Sequence, residues 1–176
     1  MATKKTSIFT LTERLTLSTA GSTASATIDL GSYIDVADRQ GLQIHSVDFI
    51  FQGTDANTTL ATTFAADATS FCQVLDLNRG GLVFANDRSL VASGTLHYGH
   101  GDNIVSNESD MFPDNYGKGS DDGRYVVNDQ LYIYGRTGVL AANQDLNITV
   151  RVNASVVSLS AKDFMAIAIQ STAADN

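Results

Sequence analysis

Apolar and polar residues alternate with a period of two along most of this chain, the mark of strands with one buried face. In residues 8–17, Phe9, Leu11, Leu15 and Leu17 share one face and Thr10, Thr12, Arg14 and Thr16 the other. Glu13 interrupts the apolar face, which points to an edge or a bulge. A turn at Ala20-Gly21-Ser22 leads into Ala24, Ala26, Ile28 and Leu30, alternating with Ser25, Thr27 and Asp29. The two runs read as a hairpin. The next strand, 42–51, changes phase: Leu42 and Ile44 are even-numbered, Val47, Phe49 and Phe51 odd-numbered. A one-residue slip at His45-Ser46 would re-aim it, as β-bulges do.

Shorter strands are predicted over 58–64, 71–77, 82–84 and 90–98. Residues 125–134 are apolar on both faces, with Val127, Leu131 and Ile133 on one and Val126, Tyr132 and Tyr134 on the other. A strand of that kind is central or covered by a partner. The cleanest alternation is Leu146, Ile148, Val150 and Val152 against Asn147, Thr149, Arg151 and Asn153. At the C-terminal end, Ser160 and Asp163 have capping-box spacing, and Phe164, Ile167 and Ala168 fall on one helical face. The segment reads as a short helix, with a last strand over 164–169 as the alternative.

Residues 99–124 break the alternation. The stretch holds the chain's single proline, Pro113, five glycines and the acids Asp102, Glu108, Asp110, Asp114, Asp121 and Asp122. It is expected to be one long acidic, glycine-rich loop, of a length that is uncommon unless functional. About eight to nine strands, separated by turns every 8–12 residues, predict an all-β fold: a single-domain antiparallel β-sandwich of jelly-roll type over 1–176, with one long loop and a short C-terminal helix.

Composition supports that class. The acids are 17 Asp against 2 Glu, and Ser plus Thr number 34, which favours turns and strands over helix interiors. With 11 basic and 19 acidic residues the net charge is −8, which repels phosphates at long range. Lys4 and Lys5 are too small a basic cluster for a nucleic-acid arm. No apolar run approaches the ~18 residues of a membrane-spanning helix, and residues 1–15 carry no secretory signal pattern.

Candidate chemistry is sparse. His97, His100 and Asp102 carry metal-ligating groups, but an i, i+3 pair converges only in a helix or tight turn, and two glycines among them weaken the helix case. Asp110, Asp114, Asp121 and Asp122, beside Asn107 and Asn115, are weak oxygen-donor candidates for calcium, at spacings that match no EF-hand loop. Cys72, the single cysteine, sits beside Phe71, Val74 and Leu75 and reads as a buried, inert thiol. Neither a nucleophile elbow nor a phosphate-binding loop occurs. No catalytic residue, metal or cofactor is assigned, and no enzyme is expected.

In its strand-dominated, disulfide-free architecture the chain resembles the small single jelly-roll coat proteins of viruses. The resemblance spans roughly residues 8–170 and rests on no specific motif, so no functional residue is carried over. It implies a structural subunit that associates with copies of itself, and with other virion proteins, after synthesis in a host cytoplasm. Interface candidates are Phe112, Tyr116, Tyr132 and Tyr134. The other reading is a binding module for carbohydrate or calcium, with Tyr98, Phe112, Tyr116 and Tyr125 as aromatic candidates.

Overall fold

The computed structural model describes residues 2–55, 57–111 and 123–172. Ten strands and two helices follow one another: β1 (Thr3–Lys4), β2 (Phe9–Leu17), β3 (Thr23–Asp29), β4 (Gln40–Gln52), α1 (Leu60–Thr63), β5 (Ala68–Leu75), β6 (Leu90–Gly99), β7 (Ile104–Met111), β8 (Arg124–Val126), β9 (Gln130–Thr137), β10 (Leu146–Ser158) and α2 (Ala161–Thr172). In one sheet β10 lies between β4 and the pair β1 and β2, with β8 beyond β4; the other runs β3-β9-β5-β6-β7. Every pairing is antiparallel.

Leaving out the two-residue β1 and the added β7, eight strands remain. The first sheet then holds the first, eighth, third and sixth of them, and the second holds the second, seventh, fourth and fifth. That interleaving is the jelly roll, two Greek keys wound into one sandwich. It sets the ends of the molecule. Residues 18–22, 53–55, 57–67, 100–103 and 138–145 meet at one end, tied by Gly21 N–H to Thr137 O, Ala141 N–H to Thr63 O and His100 N–H to Asp67 Oδ1. Residues 30–39, 76–89 and 127–129 meet at the other, tied by Leu30 N–H to Asp129 O, Leu159 N–H to Arg39 O and Asn128 Nδ2 to Asp76 O.

The core lies between the sheets. Leu15, Leu17, Val47, Phe49, Ile148, Val150 and Val152 from the first face Val74, Leu96, Leu131 and Ile133 from the second. Across the second sheet the register places Ala24, Gly135, Cys72 and Gly94 side by side. A Cβ on Gly94 would lie 2.7 Å from the Phe49 ring, and one on Gly135 would lie 2.5 Å from Leu15 Cδ2. The row of small residues is therefore the trough into which the larger side chains of the first sheet fit. Cys72 lies in it fully buried, and burial pushes its thiol up to about 12. The thiol is inert because it fills a gap.

The bulge falls where the phase change puts it. Ser46 is opposite Asn153 and Ile44 opposite Ala154, so His45 is the extra residue. Its Nε2 lies 2.8 Å from Ser155 Oγ. Burial, then Lys4, hold its pKa below 6.5. Glu13 lies on β2, whose one ladder partner among the described residues is β10, so the charge that breaks the apolar face sits at a sheet edge. At α2, Ser160 Oγ accepts from Asp163 N–H at 3.2 Å and donates to Asp163 Oδ2 at 2.8 Å. Phe164, Ile167 and Ala168 pack on Val127, Val157 and Leu159, so the segment is the helix and not the strand.

Five expectations are corrected. Runs 8–17 and 24–30 are not a hairpin: β2 pairs with β10 and β3 with β9, in different sheets. Residues 60–63 form a helical turn and 82–84 no strand. Residues 125–134 are two strands, β8 in one sheet and β9 in the other, split where Asp129 breaks the run. The stretch 99–124 is not all loop, because β7 within it extends the β5–β6 ladder.

Two predictions follow from the trough and the bulge. Gly94→Ala is expected to cost about 1–3 kcal/mol, because the Phe49 atoms it meets lie near that side chain's root. Gly81→Ala, with open space around it, is expected to change stability little; urea unfolding of both variants checks this. For His45, the fold favours the neutral imidazole. Its stabilising contribution is whole above pH 6.5 and is lost as pH falls below that value. His45→Gln is expected to flatten the decline of the urea midpoint between pH 7.5 and 5.5.

Candidate assembly surfaces

The loop 76–89 folds back over the outer face of the second sheet. Gly80, in the left-handed region at φ 76°, makes the turn. The Tyr134 hydroxyl donates to Asn78 Oδ1 at 2.6 Å and accepts from Gly80 N–H at 3.2 Å. Gln73 holds Val83 twice, its Oε1 accepting from Val83 N–H and its Nε2 donating to Val83 O. The Arg79 guanidinium meets Asp87 at 3.1 Å, and Asp87 also accepts from Ser89 N–H and Oγ. Burial alone would raise the Asp87 pKa; the Ser89 hydrogen bonds and Arg79 outweigh it and bring it below the ordinary carboxylate value. Between these braces Phe84 stands 87% exposed.

Behind the loop is a buried ion pair. Arg124 Nη2 of β8 donates to Asp76 Oδ2 at 2.9 Å, and the Asp76 side chain is 2% exposed. Arg124 also donates to Arg88 O. Burial raises the Asp76 pKa, against the pull of Arg124. Asp76 Oδ1 and Arg124 Nε are buried without a partner among the described residues. Both belong to this one pair, and a side-on fork would satisfy both. The pair ties Asp76, just past the end of β5, to the edge of the opposite sheet.

Phe84 is not alone at its end of the sandwich. Val36 in the loop 30–39, and Met165 and Ile169 on the outward side of α2, are each more than 60% exposed. Ile104 and Val105, at the start of β7, are exposed at the other end. By contrast, the outward face of the first sheet is polar along β2 and the part of β10 beside it. Thr10 donates to Asn153 Oδ1 at 2.6 Å and Thr16 to Asn147 Oδ1 at 2.8 Å, so the threonines and asparagines pair with one another across β2 and β10.

The interface residues read from sequence fare differently. Tyr134 is buried beneath its own chain's 76–89 loop. Tyr132 is half-buried on the same outward face. Phe112 and Tyr116 lie outside the described residues, as do Asp114, Asp121 and Asp122. Asp110 lies on β7, opposite Ser93. His97 pairs across the ladder with Thr69 at 3.2 Å. His100 stands edge-on to the buried Tyr98 ring, with ring centres 6.0 Å apart. Tyr98 itself stacks on Phe64 and donates to Asn103 Oδ1, so it serves the core. Among the described residues no group of three or more His, Cys, Asp or Glu is arranged to hold a metal ion. No described helix is long and apolar enough to cross a membrane.

Sequence reasoning missed Phe84, Val36, Met165 and Ile169 as surface features. Leu82-Val83-Phe84 looks like a strand, and Met165 and Ile169 look like part of a core face, because alternation reports apolar character and not what covers it.

Removing the cation of the buried pair is expected to be costly: Arg124→Met leaves the Asp76 carboxylate uncompensated, at about 3–5 kcal/mol. The sign of the pH dependence follows from the raised Asp76 pKa. The protonated acid is favoured in the fold, so its contribution is whole below pH 3.8 and is lost as pH rises through the folded value. Without Arg124 that loss is expected to deepen and to move to higher pH, which unfolding curves at several pH values check.

No family model and no curated protein matches this sequence. Among solved structures, the chain is similar to one titled Desmodium yellow mottle tymovirus, with 12% sequence identity, 88% of this chain and 90% of that chain covered, and a TM-score of 0.34. That is a weak overall likeness, and the fold described above stands on its own strand order.

Proposed function

We propose that this chain is a structural subunit of a viral capsid or similar shell, assembling from copies of itself, with no catalytic centre. It works in the virion. The jelly roll by itself does not choose this role, since the same fold serves lectins and cupins. The observation that carries the reading is Phe84: a large aromatic side chain left in water on a loop braced by Tyr134, Gln73 and the Arg79–Asp87 pair. Ordering a flexible loop on binding costs free energy, and a braced loop has already met that cost. Buried aromatic anchors of this kind dominate protein interfaces.

The other large apolar side chains exposed at that end, Val36, Met165 and Ile169, favour an apolar protein surface over a sugar. The reading moves association from the sheet faces to the loops, because the outer face of the first sheet satisfies its own polar groups.

A net charge of −8 opposes association of like copies. Raising ionic strength from 0.01 to 0.15 M shortens the screening length from about 30 to about 8 Å, so larger species are expected to grow with salt and concentration. Sedimentation velocity and electron microscopy check this. Phe84→Asp is expected to weaken assembly at least tenfold, with the unfolding midpoint nearly unchanged. A chain that stays monomeric at every concentration and ionic strength would sink the reading.

A further inference from the structure

We infer that the free edge of β3 is a contact between two copies of this chain, paired antiparallel about Ser25. The inference deepens the shell reading above and rests on it. Among the described residues β3 has one hydrogen-bonded neighbour, β9. Alternate backbone N–H and C=O groups along its other side therefore point away from the sheet, and such a row accepts another strand unless something blunts it. The other edges are blunted. β2 carries Glu13 and Arg14, β7 carries Glu108 and Asp110, and β8 is three residues long with Arg124. β3 has no charge from Thr23 to Ile28, no proline and no bulge in its pairing with β9.

The sequence of that edge says which strand fits it. Thr23-Ala24-Ser25-Ala26-Thr27 reads the same in both directions. Antiparallel pairing centred on Ser25 sets Ser25 opposite Ser25, Thr23 opposite Thr27 and Ala24 opposite Ala26 of the second copy. The hydroxyl residues all lie on the exposed outward face, and the alanines lie half-buried on the inward one. Each face then meets its own kind: hydroxyls pair with hydroxyls across the strands, and the alanines cover one another. Two copies that carry −8 each meet here along a stretch with no charge to repel. The partner is therefore a second copy, and the contact joins two five-stranded sheets into one.

A five-residue pairing is small against the roughly 1,000 Å² a stable stand-alone dimer needs, so the test traps it. Residues opposite each other in antiparallel strands have Cα atoms about 4.5–5.5 Å apart, within disulfide range. The native thiol does not compete, because Cys72 is buried. Thr23→Cys chains are mixed with Thr27→Cys chains under oxidised glutathione at a concentration where the protein assembles. The mixture is expected to give at least tenfold more disulfide-linked dimer than either variant alone, and Ser25→Cys is expected to cross-link by itself. Thr12→Cys on β2 is the control and is expected to stay monomeric. Ser25→Lys, which sets two cations face to face, is expected to abolish the trap in a Thr23→Cys/Thr27→Cys mixture. Cross-linking of the mixture no greater than that of the separate variants or the control overturns the pairing. If the protein still assembles in that case, the pairing falls and the shell reading stands. If the protein sediments as a monomer throughout, the shell reading falls and the cross-link alone decides the pairing.

Discussion

Phe49 and Leu15 reach across the sandwich onto three neighbouring positions of the opposite sheet, Gly135, Cys72 and Gly94, where hardly any side chain stands in their way. The remaining packing is organised by that fit. Sheets facing each other pack about 10 Å apart, and large residues on both inner faces would hold them wider and leave voids along the flanks. A glycine within a strand weakens it locally, so two glycines flanking the chain's single cysteine in one row mark a place where close approach outweighs strand propensity. The free thiol belongs to the same logic: it is small, apolar when protonated, and held protonated by its burial.

With the sheets closed at that row, the strand order decides what each end displays. Loop 76–89 leaves β5 and returns to β6 along the outer face of the second sheet, where Gln73 and Tyr134 hold it. The Asp76–Arg124 pair then links the base of that loop to β8 and so to the opposite sheet. This is a dear way to join two sheets, since burial works against the carboxylate and two atoms of the pair lack partners among the described residues. Its geometry gives it a purpose, because it fixes the loop that carries Phe84. A rigid loop with an aromatic side chain in water is unfavourable for a chain that stays alone and favourable for one that is covered by another surface.

The edges extend the same reasoning. A jelly roll does not close, so it leaves strand edges that natural proteins blunt with charge, shortness or irregularity. Among the described residues three edges are blunted and one is bare. The bare edge is also the segment with a self-complementary sequence. An unblunted edge in an acidic protein is a liability unless it has a use, and both observations fall on the same five residues.

Much of this was legible in the sequence. Period two located the long strands, because one buried face imposes alternation whatever the partner is. The phase change within β4 located the bulge at His45, since a single extra residue inverts which side chains face inward. Ser160 and Asp163 marked the start of α2, because a cap is made within one turn. Pairing was another matter. Nothing local says that β2 and β3 part into different sheets, that residues 125–134 divide between both, or that β7 adds itself to the rim. Those are decided by hydrogen-bonded partners far away in the chain, as when β10 takes β2 on one side and β4 on the other. Coverage is likewise a tertiary fact. Tyr134 and Phe84 are both aromatic residues in apolar runs, yet one is buried beneath the chain's own loop and the other stands in water. The difference lies in the path of residues 76–89 over the second sheet, which hydrogen bonds between distant residues set and no local pattern records.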